Sequence, residues 1–86
     1  MESQELENRV RLIVKTCLNA NEDFNSISIK DNLVDLGLDS IQGIKLLVLI
    51  EEQFEIEFFD EEYNLDYFKD IDSIITMVKK HISYYS

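Results

Sequence analysis

Leu6, Val10, Ile13, Val14, Cys17 and Leu18 recur at steps of three and four, with Glu5, Glu7, Arg9, Arg11 and Lys15 set between them. That is the period of a helix with one buried face, and it predicts a first helix over residues 3–19. From residue 19 to 39 the period breaks. Asn21, Asn25, Ser26, Ser28, Asp31, Asn32 and Gly37 are turn and cap formers, and Ile27, Ile29, Leu33, Leu36 and Leu38 alternate among them. The reading is a long loop whose apolar residues pack down on the helices.

Residues 40–54 are predicted as a second helix with more apolar surface than one buried face requires: seven of the ten residues from 41 to 50 are apolar. At about 100° per residue, Leu46, Leu47, Ile50 and Phe54 share one arc, while Ile41, Ile44 and Val48 share another roughly opposite. One arc is expected in the core, and the other is buried as well or awaits a partner. Gly43 within this helix costs up to ~1 kcal/mol relative to alanine, which a close approach by a backbone or a ligand would explain. A short third helix is predicted around residues 61–68. A fourth follows on Ile71, Ile74, Ile75, Val78 and Ile82, with Asp70 or Asp72 as its cap and Lys79, Lys80 and His81 near its end. The expected fold is all-α: an antiparallel four-helix bundle with a long first loop and a short third helix, in one domain spanning residues 1–86.

Charge narrows the function. Lys and Arg total 8 against 18 Asp and Glu, a formal net charge of -10. Such a surface repels nucleic acid and anionic membranes and favours partners with basic patches. Cys17 is the one cysteine, no signal-type segment opens the chain, and the longest apolar run is 46–50. A cytoplasmic, unexported monomer is expected. With one histidine and one cysteine, most catalytic constellations lack parts. No metal site is expected: in the acidic stretch from Asp60, Leu65 stands where a calcium loop needs glycine and Ile71 where it needs glutamate. Cys17 is read as a small buried hydrophobe and His81 as a surface residue near a helix end.

Candidate chemistry centres on Leu36-Gly37-Leu38-Asp39-Ser40-Ile41. A glycine permits a tight turn, and a serine then falls at the start of a strongly apolar helix. Ser40 or Asp39 can simply cap that helix. A hydroxyl at a helix N-terminus is also well placed to carry a phosphate ester, because unpaired N–H groups and the helix dipole stabilise an anion there. The chain holds its own control: Asp72-Ser73-Ile74 repeats the tripeptide at another helix start, so context must distinguish the two.

That context resembles the acyl and peptidyl carrier proteins, whose attachment signature of Leu-Gly, a variable residue, Asp-Ser and an aliphatic residue matches residues 36–41. Leu33 and Leu36 fit the family's loop positions, Leu46, Leu47, Ile50, Glu51, Glu52 and Phe54 its second helix, and 56–62 and 68–78 its third and fourth. The resemblance implies that a phosphopantetheinyl transferase, using coenzyme A and magnesium, joins 4'-phosphopantetheine to Ser40. The arm's thiol then holds an acyl or aminoacyl thioester. The chain would be a carrier, not an enzyme, served by an acyl- or aminoacyl-loading ligase and a downstream synthase or transferase. Leu38, Asp39, Ile41, Ile44 and Val48 would form the surface those enzymes visit.

Fatty-acid carriers usually place acids two and five positions after the serine, where this chain has Gln42 and Lys45. Phe59 replaces a common proline, and about two extra residues fall between Glu62 and Phe68. The expectation is therefore a free-standing carrier in specialised peptide, polyketide or amino-acid-derived biosynthesis. Alternatives are the housekeeping fatty-acid carrier, and an acidic helical adaptor without a prosthetic group. A small hydrolase using Ser40 would lack a base.

Overall fold

The structure, a computed structural model, describes residues 3–18 and 27–85, without the side chains of Ser3, Leu65, Tyr84 and Tyr85. Among the described residues there are three α-helices and no strand: α1 (Ser3–Leu18), α2 (Ser40–Phe54) and α3 (Ile71–Tyr85). The first two fall where the apolar periods predict. The core is continuous across all three, with Val10, Val14, Leu46, Ile50, Phe68, Ile71, Ile74 and Val78 fully buried among them. Cys17 is buried as expected, and burial pushes its thiol pKa up, partly offset by Lys45 nearby.

The helix expected fourth, on Ile71 to Ile82, forms as α3, and the expected short third helix is a correction, so the four-helix bundle becomes three helices among the described residues. In place of a short third helix the chain makes two three-residue 3-10 turns, Asp60–Glu62 and Leu65–Tyr67. The physical reason lies in side chains that satisfy the backbone locally. Phe59 is extended, its N–H donates to Glu62 Oε1 at 2.7 Å, and Asn64 Oδ1 accepts the Asp66 N–H at 2.9 Å. Such bonds give the backbone an alternative to a helical ladder, and the turn stops at Tyr63.

In the loop before α2, the expected turn formers among residues 19–26 lie outside the described residues. From Ile27 onward the chain behaves as read. Asp31 Oδ2 accepts the Ser28 N–H, and Asn32 Oδ1 accepts the Val34 N–H. Ile27, Ile29 and Leu36 pack against the core, and Leu33 is fully buried within it. Arg11, placed by periodicity on the polar side of α1, is instead buried, because its guanidinium bonds Glu7 and the Ile27 carbonyl. That carbonyl, 2.7 Å away, ties the loop to α1.

Candidate functional site

The turn that delivers Ser40 is built from the signature residues. The Leu33 carbonyl accepts both the Leu36 and Leu38 N–H groups, and Gly37 N–H bonds the Val34 carbonyl. Gly37 has φ +112, and no atom lies within 4 Å of where a Cβ would stand. Backbone conformation, not crowding, therefore requires glycine here. The reversal returns Leu38 to the core at 2% exposure. Leu38 was expected on the visited surface; its side chain is spent on anchoring the turn.

Asp39 follows in an extended conformation and caps α2: its Oδ1 accepts the Gln42 N–H at 2.8 Å, and its carbonyl accepts the Gly43 N–H at 2.8 Å. Ser40, exposed, is the first helical residue. The N–H groups of Ser40 and Ile41 precede the reach of the helical ladder, and no acid lies in the first helical turn. The Asp39 carboxylate offsets part of the dipole here, and the two N–H groups remain as donors for an anion on the Ser40 oxygen.

Ser40 also lies on a cleft of about 330 Å³, shared with Gly43, Ile44, Leu47, Tyr63, Asn64 and Phe68. Gly43 lines it about one turn below the serine. Tyr63 crosses from the 3-10 segment to α2, its hydroxyl donating to Glu51 at 2.8 Å. The same carboxylate accepts the Phe58 N–H at 2.8 Å, so Glu51 pins the cleft's far wall. Burial and the Glu51 carboxylate push the Tyr63 phenol up to about 12, so at neutral pH it is a proton donor and not a base. The rest of the cleft's lining holds no titratable side chain other than the serine hydroxyl. The site can hold a group on the Ser40 oxygen but offers nothing to activate it.

Beside Ser40 the outer arc of α2 is open: Ile41 is 73% exposed, and Ile44 and Val48 are exposed as well. The two arcs of this helix separate as the periodicity predicts, Leu46, Leu47, Ile50 and Phe54 being buried. His81 is a correction. Expected at the surface, it is fully buried, its Nε2 2.8 Å from Glu62 Oε1 and the Phe58 and Phe59 rings edge-on to it. Burial opposes ionisation of Glu62, but bonds from the Phe59 N–H, Lys80 and His81 together outweigh it and hold the carboxyl below its usual range. An ionised Glu62 can only accept, so His81 donates. This cluster fastens the 3-10 turn to α3 and leaves no histidine for Ser40.

Tyr63, Asn64 and Phe68 are the site residues that sequence reasoning missed. The signal for them was the pair of extra residues after Glu62, which marks a change in this wall without saying what the wall does.

The residues around this site have counterparts in known proteins. The phosphopantetheine attachment site family matches residues 8–78, most of the chain. The acyl carrier protein of Phytoplasma mali (strain AT) is 38% identical over 64 residues, covering 73% of this chain and 74% of that protein. The acyl carrier protein of Buchnera aphidicola subsp. Acyrthosiphon pisum (strain Tuc7) is 37% identical over 59 residues, covering 66% of this chain and 70% of that protein. An exposed serine hydroxyl, a helix end ready for an anion and a cleft without a base suit a covalently held group that other enzymes work on. The chain belongs to the acyl carrier proteins of the phosphopantetheine attachment family, carriers without catalysis of their own that bear a covalent 4'-phosphopantetheine.

Proposed function

We propose that the 4'-phosphopantetheine is attached through a phosphodiester to Ser40 Oγ, and that the whole chain is one carrier domain. The observation that carries this is the exposed Ser40 hydroxyl on the first residue of α2, at the mouth of the cleft. The arm, when bound, supplies a thiol that holds the cargo as a thioester. Asp39 holds the helix end in register, and the Ser40 and Ile41 N–H groups, ahead of the helical ladder, would be the donors available to the phosphate. With no base lining the cleft, the Ser40 proton is removed by the visiting phosphopantetheinyl transferase. Asp39, Ile41, Ile44 and Val48 form the surface that this enzyme, a loading ligase and a downstream synthase or transferase share.

The pathway we infer is specialised, with an acyl or aminoacyl cargo made in the cytoplasm by partners meeting a monomeric carrier. Supporting it, Gln42 and Lys45 follow Ser40 where fatty-acid carriers usually hold acids, and a basic dock tuned to those acids meets an amide and a cation. Such rim mismatches slow association with the wrong partner.

Intact mass after incubation with a broad-specificity transferase and coenzyme A tests the attachment. One phosphopantetheinyl unit is expected on the natural chain and on Ser73→Ala, and none on Ser40→Ala. Modification that persists in Ser40→Ala overturns the assignment. The arm ejected from protein recovered from its own host, weighed with its cargo, tests the pathway: a plain saturated fatty acyl chain points to the housekeeping role.

A further inference from the structure

A second apolar surface adjoins Ser40's cleft at Ile44, which lines both, and crosses α2 toward α1. Thr16 and Cys17 of α1 face Ile44, Lys45, Val48 and Leu49 of α2 across a groove of about 620 Å³. A second depression of about 180 Å³, holding Leu12 and Ile13, shares Thr16 and Leu49 with it, so the two make one furrow along the α1–α2 seam. Leu12 is 65% exposed on its lip. Ile44 and Val48 belong both to this furrow and to the outer arc of α2, so the apolar surface runs unbroken from beside Ser40 toward α1.

Charge says what fits. The molecule is at -10 overall, and the depression around residues 57–61 is lined by Glu57, Asp60 and Glu61. The furrow's charged lining is Arg9, Lys45 and a single carboxylate, Glu52. Arg9 is held in place by the Gln53 carbonyl at 2.7 Å and by the Phe54 ring beneath it. Lys45 is exposed and close enough to lower the Cys17 thiol. Lys15, also exposed, follows Leu12 by three residues and so neighbours it on α1. Three of the chain's eight cations thus gather at an apolar furrow on an otherwise acidic molecule.

We propose that the α1–α2 furrow is a docking site for an amphipathic helix of a partner protein whose apolar stripe is flanked by carboxylates. The helix lays its apolar side chains between Leu12 and Val48, and its acids meet Lys15 and Lys45. Like charge turns it away from the rest of this surface, so attraction is confined to the furrow. Ser40 lines neither part of the furrow, so the docking does not need its hydroxyl.

Two synthetic amphipathic helical peptides with the same leucine stripe, one flanked by glutamate and one by lysine, test this against isotope-labelled full-length protein. Amide resonances of Thr16, Lys45 and Leu49 are expected to move and saturate with the glutamate peptide, equally in the natural chain and in Ser40→Ala. Lys45→Glu should weaken that binding on the order of tenfold, as expected for reversing a rim charge beside an apolar contact. Leu12→Ser should weaken it too; both positions are exposed, so neither change threatens the fold. Saturation of the same amides by the lysine peptide at equal or lower concentration, or no movement with the glutamate peptide, overturns the proposal.

Discussion

Asp39-Ser40-Ile41 and Asp72-Ser73-Ile74 are the same three residues at the start of two helices, yet they do different work. In the first, Asp39 is the cap, Ser40 is the first helical residue, and Ile41 points outward at 73% exposure. In the second, the cap is Asp70, two residues earlier, whose Oδ1 accepts the Ser73 N–H at 2.7 Å. Ser73 therefore lies two positions deeper in α3, half-buried, and Ile74 is fully buried. The described loop also covers this entrance: Asp72 N–H donates to the Ile29 carbonyl and Leu33 N–H to the Lys69 carbonyl. The same tripeptide differs between the two helices in its register against the cap and in what packs over it.

The largest break of the comparison is at the isoleucines. Ile74→Ala should cost about 2–5 kcal/mol by opening a cavity in the shared core, whereas Ile41→Ala should fall within about 0.5 kcal/mol of the natural chain. Urea denaturation read by circular dichroism separates them, and equal losses would show that the two tripeptides are not packed differently. The anchoring of α3 at its far end comes next. Glu62→Gln should cost about 1.5–3 kcal/mol, the range for hydrogen bonds made to a charged group. The sign of the pH dependence follows from the lowered Glu62 pKa. Its contribution is fully present above the unfolded-state value near ~4.3 and is lost as pH falls through the lower folded value. Acid titration of stability should accordingly be shallower in Glu62→Gln, and parallel curves would count against an ionised, bonded Glu62.

The caps give a smaller effect with a sharper contrast in function. Asp39→Ala and Asp70→Ala should each lose about 1 kcal/mol, since each carboxylate satisfies one N–H in the first turn of its helix. Only Asp39→Ala should also slow modification by a transferase, because only that cap orders the residue beside it for transfer. A transferase rate equally depressed in Asp70→Ala would indicate that global stability sets the rate and that the Asp39 cap has no separate role.

Much of this contrast was legible in the sequence where local chemistry decides. The apolar periods placed α1 and α2, the two arcs of α2 separated as their spacing requires, and the Leu-Gly-Leu-Asp-Ser run placed a serine at a helix entrance. Tertiary partners decided the rest. The short third helix gave way to 3-10 turns because Glu62 and Asn64 satisfy backbone N–H groups on the spot. His81 went inside because Glu62, nineteen residues earlier, gives it an acceptor there. Leu38 went inside because Gly37 turns it back. The wall of Tyr63, Asn64 and Phe68 opposite Ser40 depends on Glu51 holding Tyr63 from another element, a pairing that no spacing rule encodes.

The smallest effect concerns the ion pair over the α3 entrance. Lys30 Nζ lies 2.6 Å from Asp72 Oδ2, and that hydrogen bond raises the Lys30 pKa. The ammonium is nonetheless in solvent, where salt screens it and holding a long side chain offsets much of the attraction. The loop is kept over Ser73 by stronger means: the two backbone bonds from Asp72 and Leu33, and the full burial of the Leu33 side chain. Lys30→Met should therefore shift the thermal midpoint less than any variant above, and raising ionic strength should erase even that difference. Amide exchange at Asp72 should stay as slow as in the natural chain, because its carbonyl partner is untouched. Fast exchange there in Lys30→Met would mean that the pair, and not the backbone, closes this entrance.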